Sequence, residues 1–300
     1  MIFVICGQTA SGKSGLALEF AKKVNGVIVN ADAFQVYKEL DIGTAKLTIE
    51  ERQIVPHYLF DQCLISEEYH VKRYQEEARE LIKQLKKEGK AIIFVGGTGL
   101  YIRSVFYDYI FIDHPKIDMS EYDSYTNDEL YEYLVKIDKE AAFKTHPQNR
   151  RRVLRAIEIY KSSGLTKSEI EAKQRKELLF DVVFVGISLS KDELEELIDR
   201  RVEEMFANGL LSEIKQLLSK YNSSSPAFKA IGYEEVIKNK NMSEEELKQL
   251  IKLRTRQYAK RQNTFFKNQL PVKWFNNSNE ALSFLIKKYK ECKNEKVRTN

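Results

Sequence analysis

Residues Gly7 to Ser14 read Gly-Gln-Thr-Ala-Ser-Gly-Lys-Ser, and no other stretch restricts the fold of this chain so tightly. They meet the phosphate-loop spacing G-x-x-x-x-G-K-[ST] at every fixed position. Ahead of them, Ile2 to Cys6 is a short apolar run suited to a buried parallel strand. Behind them, Leu16, Ala17, Phe20, Ala21 and Val24 recur at helical spacing. In a strand–turn–helix of this kind, glycines let successive backbone N–H groups converge on an anion, and the helix start adds partial positive charge. Gly7, Gln8, Thr9, Ala10, Ser11 and Gly12 then form the cradle, Lys13 reaches a bridging phosphate oxygen, and Ser14 offers a hydroxyl to Mg²⁺. Which phosphates are held stays open. A nucleoside triphosphate is the usual guest, and a diphosphate ester fits the same cradle.

Around this loop the sequence builds further walls. Val27 to Asn30 reads as a second strand, with Asp32 at its carboxyl end, where ligands of open parallel sheets sit. The competing account of Asp32 is an N-cap to a short helix, which is compatible with that position. Ala33, Phe34, Gln35, Val36 and Tyr37 mix polar and aromatic groups without a period. His57, in the short segment opened by Pro56, reads as a structural histidine as readily as a ligand. Tyr69 to Lys87 is an amphipathic helix closed by Gly89. Ala91 to Val95 is a third buried strand and runs directly into Gly96-Gly-Thr-Gly-Leu-Tyr101. Glycine there permits close backbone approach, and Thr98 adds a hydroxyl. Phosphate loop, Asp32 and glycine loop make a three-walled pocket.

The 300 residues suggest about two domains. Asp108 to Glu140 is rich in acids and tyrosines; Ala141 to Lys176 turns basic. Within it, Arg151, Arg152 and Arg155 form one cationic ridge at the start of a helix, with Glu158 placed to orient Arg155. Asp181 to Ser188 returns to buried-strand character. The fold expected is α/β: a P-loop NTPase-like parallel sheet flanked by helices (1–110 and 181–300), with a mainly helical insertion domain at 111–180. Ser243 and Glu246 form a capping box opening a long helix that has no acid from Leu247 to Lys267. It carries Arg254, Arg256, Lys260 and Arg261, and Arg254, Tyr258, Arg261 and Phe265 share a face, as suits a nucleic-acid backbone and exposed bases. A solvated charged face is the competing account of both basic stretches. Val272 to Phe275 is the candidate last strand, and Glu291 to Asn300 reads as a frayed tail. Net charge is +5, a weak pointer to a polyanionic partner. Three scattered cysteines give neither a disulfide framework nor zinc spacing. A chain opening into a core strand, with no membrane-length apolar run, is expected in the cytosol.

Several stretches together resemble the tRNA dimethylallyltransferase (tRNA isopentenyltransferase) family. They are Gly7–Ser14, Asp32–Tyr37, Asp41-Ile-Gly-Thr-Ala-Lys46, Pro56-His57, Gly96–Tyr101, His146-Pro with Arg152–Glu158, Arg201–Met205 with Gly209-Leu, Ile231–Glu234, and Thr255–Gln262, in order and over nearly the whole chain. The chain departs from the family pattern at Ala33, where serine is usual, and at Asn149, where aspartate is usual, and it carries no zinc-finger extension. The resemblance implies transfer of a dimethylallyl group from dimethylallyl diphosphate to N6 of the adenosine next to a tRNA anticodon. Implied catalytic residues are Asp32 as base, with Thr98, Lys13 and Arg201. Mg²⁺ on Ser14 would assist the leaving diphosphate. Implied tRNA contacts are Asp32, Ala33, Phe34, Gln35, Thr98, Arg151, Arg152, Arg155, Arg254, Arg256, Lys260 and Arg261. A monomer with no membrane or protein partner is expected. A phosphate-loop kinase, an adenylate isopentenyltransferase and a non-catalytic RNA-binding switch remain rival readings of the same residues.

Overall fold

The computed structural model describes residues 1–111, 117–174 and 177–299. Lys176 and Asn300, the ends of the expected basic stretch and tail, lie outside them. Two compact units form: one from Met1–Phe106 with the chain from Phe180 onward, the other from Tyr107–Leu179.

The larger unit contains the sheet: β1 (Ile2–Cys6), β2 (Val27–Asn30), β3 (His57–Tyr58), β4 (Ile92–Gly96), β5 (Val182–Ile187) and β6 (Lys273–Phe275). All neighbours are parallel, in the order β3-β2-β4-β1-β5-β6. β1, β2 and β4 are buried along their whole length, which is why they read as continuous apolar runs. Four helices precede the smaller unit: α1 (Lys13–Val24), α2 (Ile49–Gln53), α3 (Val71–Lys87) and α4 (Gly99–Phe106). One face of the sheet buries Phe3, Ile5, Ile28 and Ile93 against α1, with the Phe3 and Phe20 rings edge to face at 4.8 Å. On β4, Phe94 meets Phe106 of α4 edge to face at 5.0 Å. β1 lies between β4 and β5, so the chain turns to one side after β1 and to the other before β5. The loops after β1, β2 and β4 therefore open into one crevice at the carboxyl edge.

The smaller unit is helical: α5 (Asn127–Ile137), α6 (Lys139–Phe143), α7 (Arg150–Ser163) and α8 (Lys167–Lys173). Leu130, Leu134, Val153, Ala156 and Ile157 make its core. The acid- and tyrosine-rich stretch before residue 140 contains α5, whose start carries a capping box, Thr126 with Glu129. Asn149, one of the two departures from the family pattern, caps α7 by accepting from the Arg152 N–H, so the amide does a cap's work without charge. Arg150 is structural: its guanidinium donates to the carbonyls of Tyr122 and Tyr125.

Returning to the larger unit, α9 (Lys191–Ala207), α10 (Leu210–Lys220), α11 (Tyr233–Lys238), α12 (Glu244–Gln269) and α13 (Ser278–Thr299) follow β5. The expected tail from Glu291 is corrected here: it continues α13. Ala281, Leu282 and Leu285 anchor that helix in the core, and once a helix is docked each further residue is cheap to add.

Candidate active site

The phosphate loop leaves β1 through Gly7 (φ 141°), holds Ala10 in left-handed backbone (φ 61°), and enters α1 through Gly12 (φ 78°). Inside it, the buried Ser11 hydroxyl donates to the Gln8 carbonyl, and so does the Lys13 ammonium. Burial, followed by the positive charge of Arg201, lowers the Lys13 pKa to about 8, although Asp32 pulls it up. Arg201, from α9, reaches the Thr44 carbonyl at 3.3 Å. Its pKa too is lowered by burial, with Asp32 opposing. Two cations thus share a recess, and a carboxylate partly compensates them.

Asp32 is held by its surroundings. Buried Asn30 at the end of β2 accepts from the Asp32 N–H at 2.9 Å and donates to the Asp32 and Leu59 carbonyls, both at 3.0 Å. One Asp32 oxygen, Oδ1, accepts from the Phe34 N–H at 2.9 Å. This is a local turn, not the cap of a helix, and it leaves Oδ2 for other chemistry. Thr98 Oγ1 accepts from the Ala33 N–H at 2.9 Å, and the Thr98 N–H donates to the Ala31 carbonyl at 3.1 Å. Thr98 thereby ties the glycine loop to the strand end that carries Asp32. Glycine is required for this approach: a Cβ on Gly96 would fall 2.1 Å from the Ala31 carbonyl oxygen. Gln35 lines the smaller recess beside Asp32 and donates to the Thr44 carbonyl at 3.0 Å.

Two cavities adjoin along Thr9, Asp32, Thr44 and Arg201. The smaller, about 60 Å³, is lined by Lys13, Ser14 and Gln262 as well. The larger, about 510 Å³, runs past Phe34 to Arg254, Tyr258 and Arg261 on α12. Burial, with Asp32 nearby, pushes the Tyr258 hydroxyl well above its ordinary value, while bonds to Thr98 and Gln262 oppose this. A small recess carrying Lys13 and the phosphate loop therefore meets a larger one lined by Phe34 and Tyr258 at a carboxylate.

The basic helices divide by use. On α12, Lys248 and Lys252 pair with Glu203, and Arg256 pairs with Asp199 at 2.5 Å, all on α9. Arg256 is thus committed within the protein, not turned to the cavity with Arg254. The Phe265 ring packs against the glycine loop, where a Cβ on Gly99 would fall 2.2 Å from its Cδ1. Lys260 and Arg261 are exposed, with Arg261 lying 5.8 Å from the Tyr258 ring centroid. On α7, Arg151, Arg152 and Arg155 are exposed, and Arg155 pairs with Glu158 at 2.7 Å. His57 is structural: its Nδ1 contacts the Arg52 and Val55 carbonyls, and burial lowers its pKa.

The positions that sequence reasoning missed are polar and buried. Asn30 and Gln262 are two. Lys46 is a third, its ammonium 2.7 Å from both Asp41 and Asp61 and so pinning the loop that presents Thr44 to Arg201. For Asn30, a polar residue closing an otherwise apolar strand was the available signal. Among the described residues, no cluster of three or more His, Cys, Asp or Glu side chains forms a metal cage, and no helix is long and apolar enough to cross a membrane. Ser14, a single hydroxyl at a phosphate recess, suits a hard cation that arrives on its diphosphate ligand.

Fold and site define a phosphate-loop α/β enzyme whose anion cradle opens beside a carboxylate. The family described as IPP transferase matches over residues 35–269, and the chain belongs to that family. A protein named tRNA dimethylallyltransferase from Anoxybacillus flavithermus is 41% identical over 285 residues, which cover 94% of this chain and 92% of that one. The crystal structure of a tRNA delta(2)-isopentenylpyrophosphate transferase from Staphylococcus epidermidis has a TM-score of 0.71 and 36% identity, over 97% of this chain and 98% of that one. A eukaryotic dimethylallyltransferase described as acting on tRNA has a TM-score of 0.78 and 32% identity, over 94% of this chain and 77% of that one.

Proposed function

We infer that this chain transfers the dimethylallyl group of dimethylallyl diphosphate to N6 of the adenosine adjacent to the anticodon in tRNA. Family membership supports the reaction. The observation that carries the mechanism is the meeting of the two cavities at Asp32 and Arg201.

An adenine amine is a weak nucleophile because its lone pair is delocalised into the ring. As N6 bonds to C1 of the dimethylallyl group, the C1–O bond to diphosphate breaks. Asp32 Oδ2 accepts the amine proton, which makes Asp32 the general base. Charge then grows on the diphosphate, where Lys13, Arg201 and the loop N–H groups stabilise it. Mg²⁺, with Ser14 among its ligands, would supply further charge neutralisation there. Thr98 keeps Asp32 and Ala33 in place. The target base leaves its stack to enter the larger cavity, past Phe34 and Tyr258. Arg254, Lys260 and Arg261 would hold RNA phosphates near it, and the Arg151, Arg152 and Arg155 ridge of the smaller unit would bind phosphates of the same RNA.

The test is incubation with unmodified tRNA, adenosine monophosphate, ATP and isotopically labelled dimethylallyl diphosphate, followed by separation of RNA from free nucleotides, nuclease digestion and mass spectrometry. Label on N6 of the adenosine next to the anticodon, with stoichiometric diphosphate release, is expected. Labelled free adenosine monophosphate with unlabelled tRNA would favour the adenylate enzyme, and turnover of ATP alone would favour a kinase.

A further inference from the structure

We propose that Gln262 is a positioning residue whose one side-chain amide clamps the phosphate loop to the glycine loop and so fixes the leaving-group cradle relative to Asp32. This rests on the transfer reaction proposed above. Gln262 is 5% exposed, deep on α12. Its Oε1 accepts from the Thr9 N–H at 2.7 Å, and its Nε2 donates to the Gly97 carbonyl at 3.0 Å. A backbone N–H can only donate and a carbonyl can only accept, so this bridge needs a side chain at position 262 that carries both an acceptor and a donor, as an amide does. Glutamate would keep the acceptor and lose the donor; methionine would lose both.

The clamp joins a continuous chain of contacts. Thr9 belongs to the cradle. Gly97 precedes Thr98, which holds the Ala33 N–H beside Asp32. Three residues earlier on α12, the Ala259 carbonyl accepts from Gln8 Nε2 at 3.3 Å, a second fastening of the phosphate loop to the same helix. Space has been cleared for the amide: a Cβ on Gly97 would fall 2.1 Å from Gln262 Nε2. Gly97 does not have the positive φ that alanine would resist, so its lack of a side chain serves the neighbour and not its own backbone. In-line displacement is sensitive to such spacing, since a misplacement of about 1 Å can cost roughly a hundredfold in rate.

The experiment measures single-turnover transfer at saturating tRNA and dimethylallyl diphosphate, with tRNA affinity and melting temperature beside it. For Gln262→Met, a rate loss of roughly ten- to a hundredfold is expected, with tRNA affinity unchanged. Gly97→Ala should reproduce the loss by displacing the amide. Combined with Gln262→Ala, it should be no slower than Gln262→Ala alone, because the shorter side chain removes the collision. For the near-isosteric Gln262→Glu, the rate relative to wild type should rise as pH falls, because a protonated carboxyl regains the donor. A Gln262→Met rate equal to wild type, or losses at Gly97 and Gln262 that multiply independently, would overturn the clamp while leaving the transfer reaction intact. Absence of transfer by the wild-type protein would instead remove the reaction itself, and the clamp with it.

Discussion

Lys13 and Arg201 stand in a recess where burial lowers both their pKa values, whereas Arg151, Arg152 and Arg155 stand in the open on α7. The first pair is costly to keep charged, and the fold holds it beside a carboxylate that offsets part of the cost. The second set costs almost nothing, and salt screens it. The difference teaches what each can do. A buried cation acts at full strength on charge that appears at one point, so it belongs to the chemical step. An exposed ridge attracts a polyanion diffusely, so it belongs to affinity.

The largest expected effect removes the carboxylate that partly compensates the two recessed cations. Asp32→Ala should lower the single-turnover rate by roughly two to four orders of magnitude while dimethylallyl diphosphate still binds. A near wild-type rate would reduce Asp32 to its turn bond with the Phe34 N–H. Next, Lys13→Met should slow transfer by roughly a hundred- to a thousandfold, as loss of one preorganised charge donor does, and leave tRNA affinity unchanged. Were tRNA affinity to fall and the rate to hold, the contrast between the two sets would collapse.

The contrast sharpens with pH. With its pKa near 8, Lys13 is charged below that pH and loses its proton above it. Affinity of the RNA-free protein for dimethylallyl diphosphate should therefore decline above about pH 8. The decline, read by calorimetry, should vanish in Lys13→Met. Folding stability moves the other way. Because the folded value lies below the ordinary 10.5, the unfolded chain binds more protons between the two, and this group adds stability as pH rises through that window.

Neutralising one exposed arginine of the α7 ridge should flatten the salt dependence of tRNA affinity by about 0.7–0.9 of a logarithmic unit, with the saturated rate preserved. Unchanged slopes for all three would make the ridge solvated surface. The smallest effect is expected at Arg256, whose partner is Asp199. Arg256→Gln should cost under about 1 kcal/mol of stability and shift neither slope nor rate, which makes it the control separating a basic helix from a basic surface.

Strand, phosphate loop and helix were legible at Gly7–Ser14 because that spacing has few local solutions: glycine at the turns, lysine and serine at the helix start. The buried parallel strands were legible for the same reason, since a segment covered on both faces leaves no polar position to misread. Asp32 could be placed at a strand end, but not its division into one oxygen tied by Phe34 and one left free. Whether a basic residue on α12 faces RNA or a neighbour was beyond the sequence. Arg254 and Arg256 are two residues apart, yet one lines the cavity and the other meets α9, a choice made by which acids the packing brings alongside. Gln262 shows the same limit. Its partners at Thr9 and Gly97 are more than 160 positions away in the chain. Periodicity reports only a residue's own helix face, and only closure of the tertiary structure brings a distant N–H and carbonyl to the two ends of one amide.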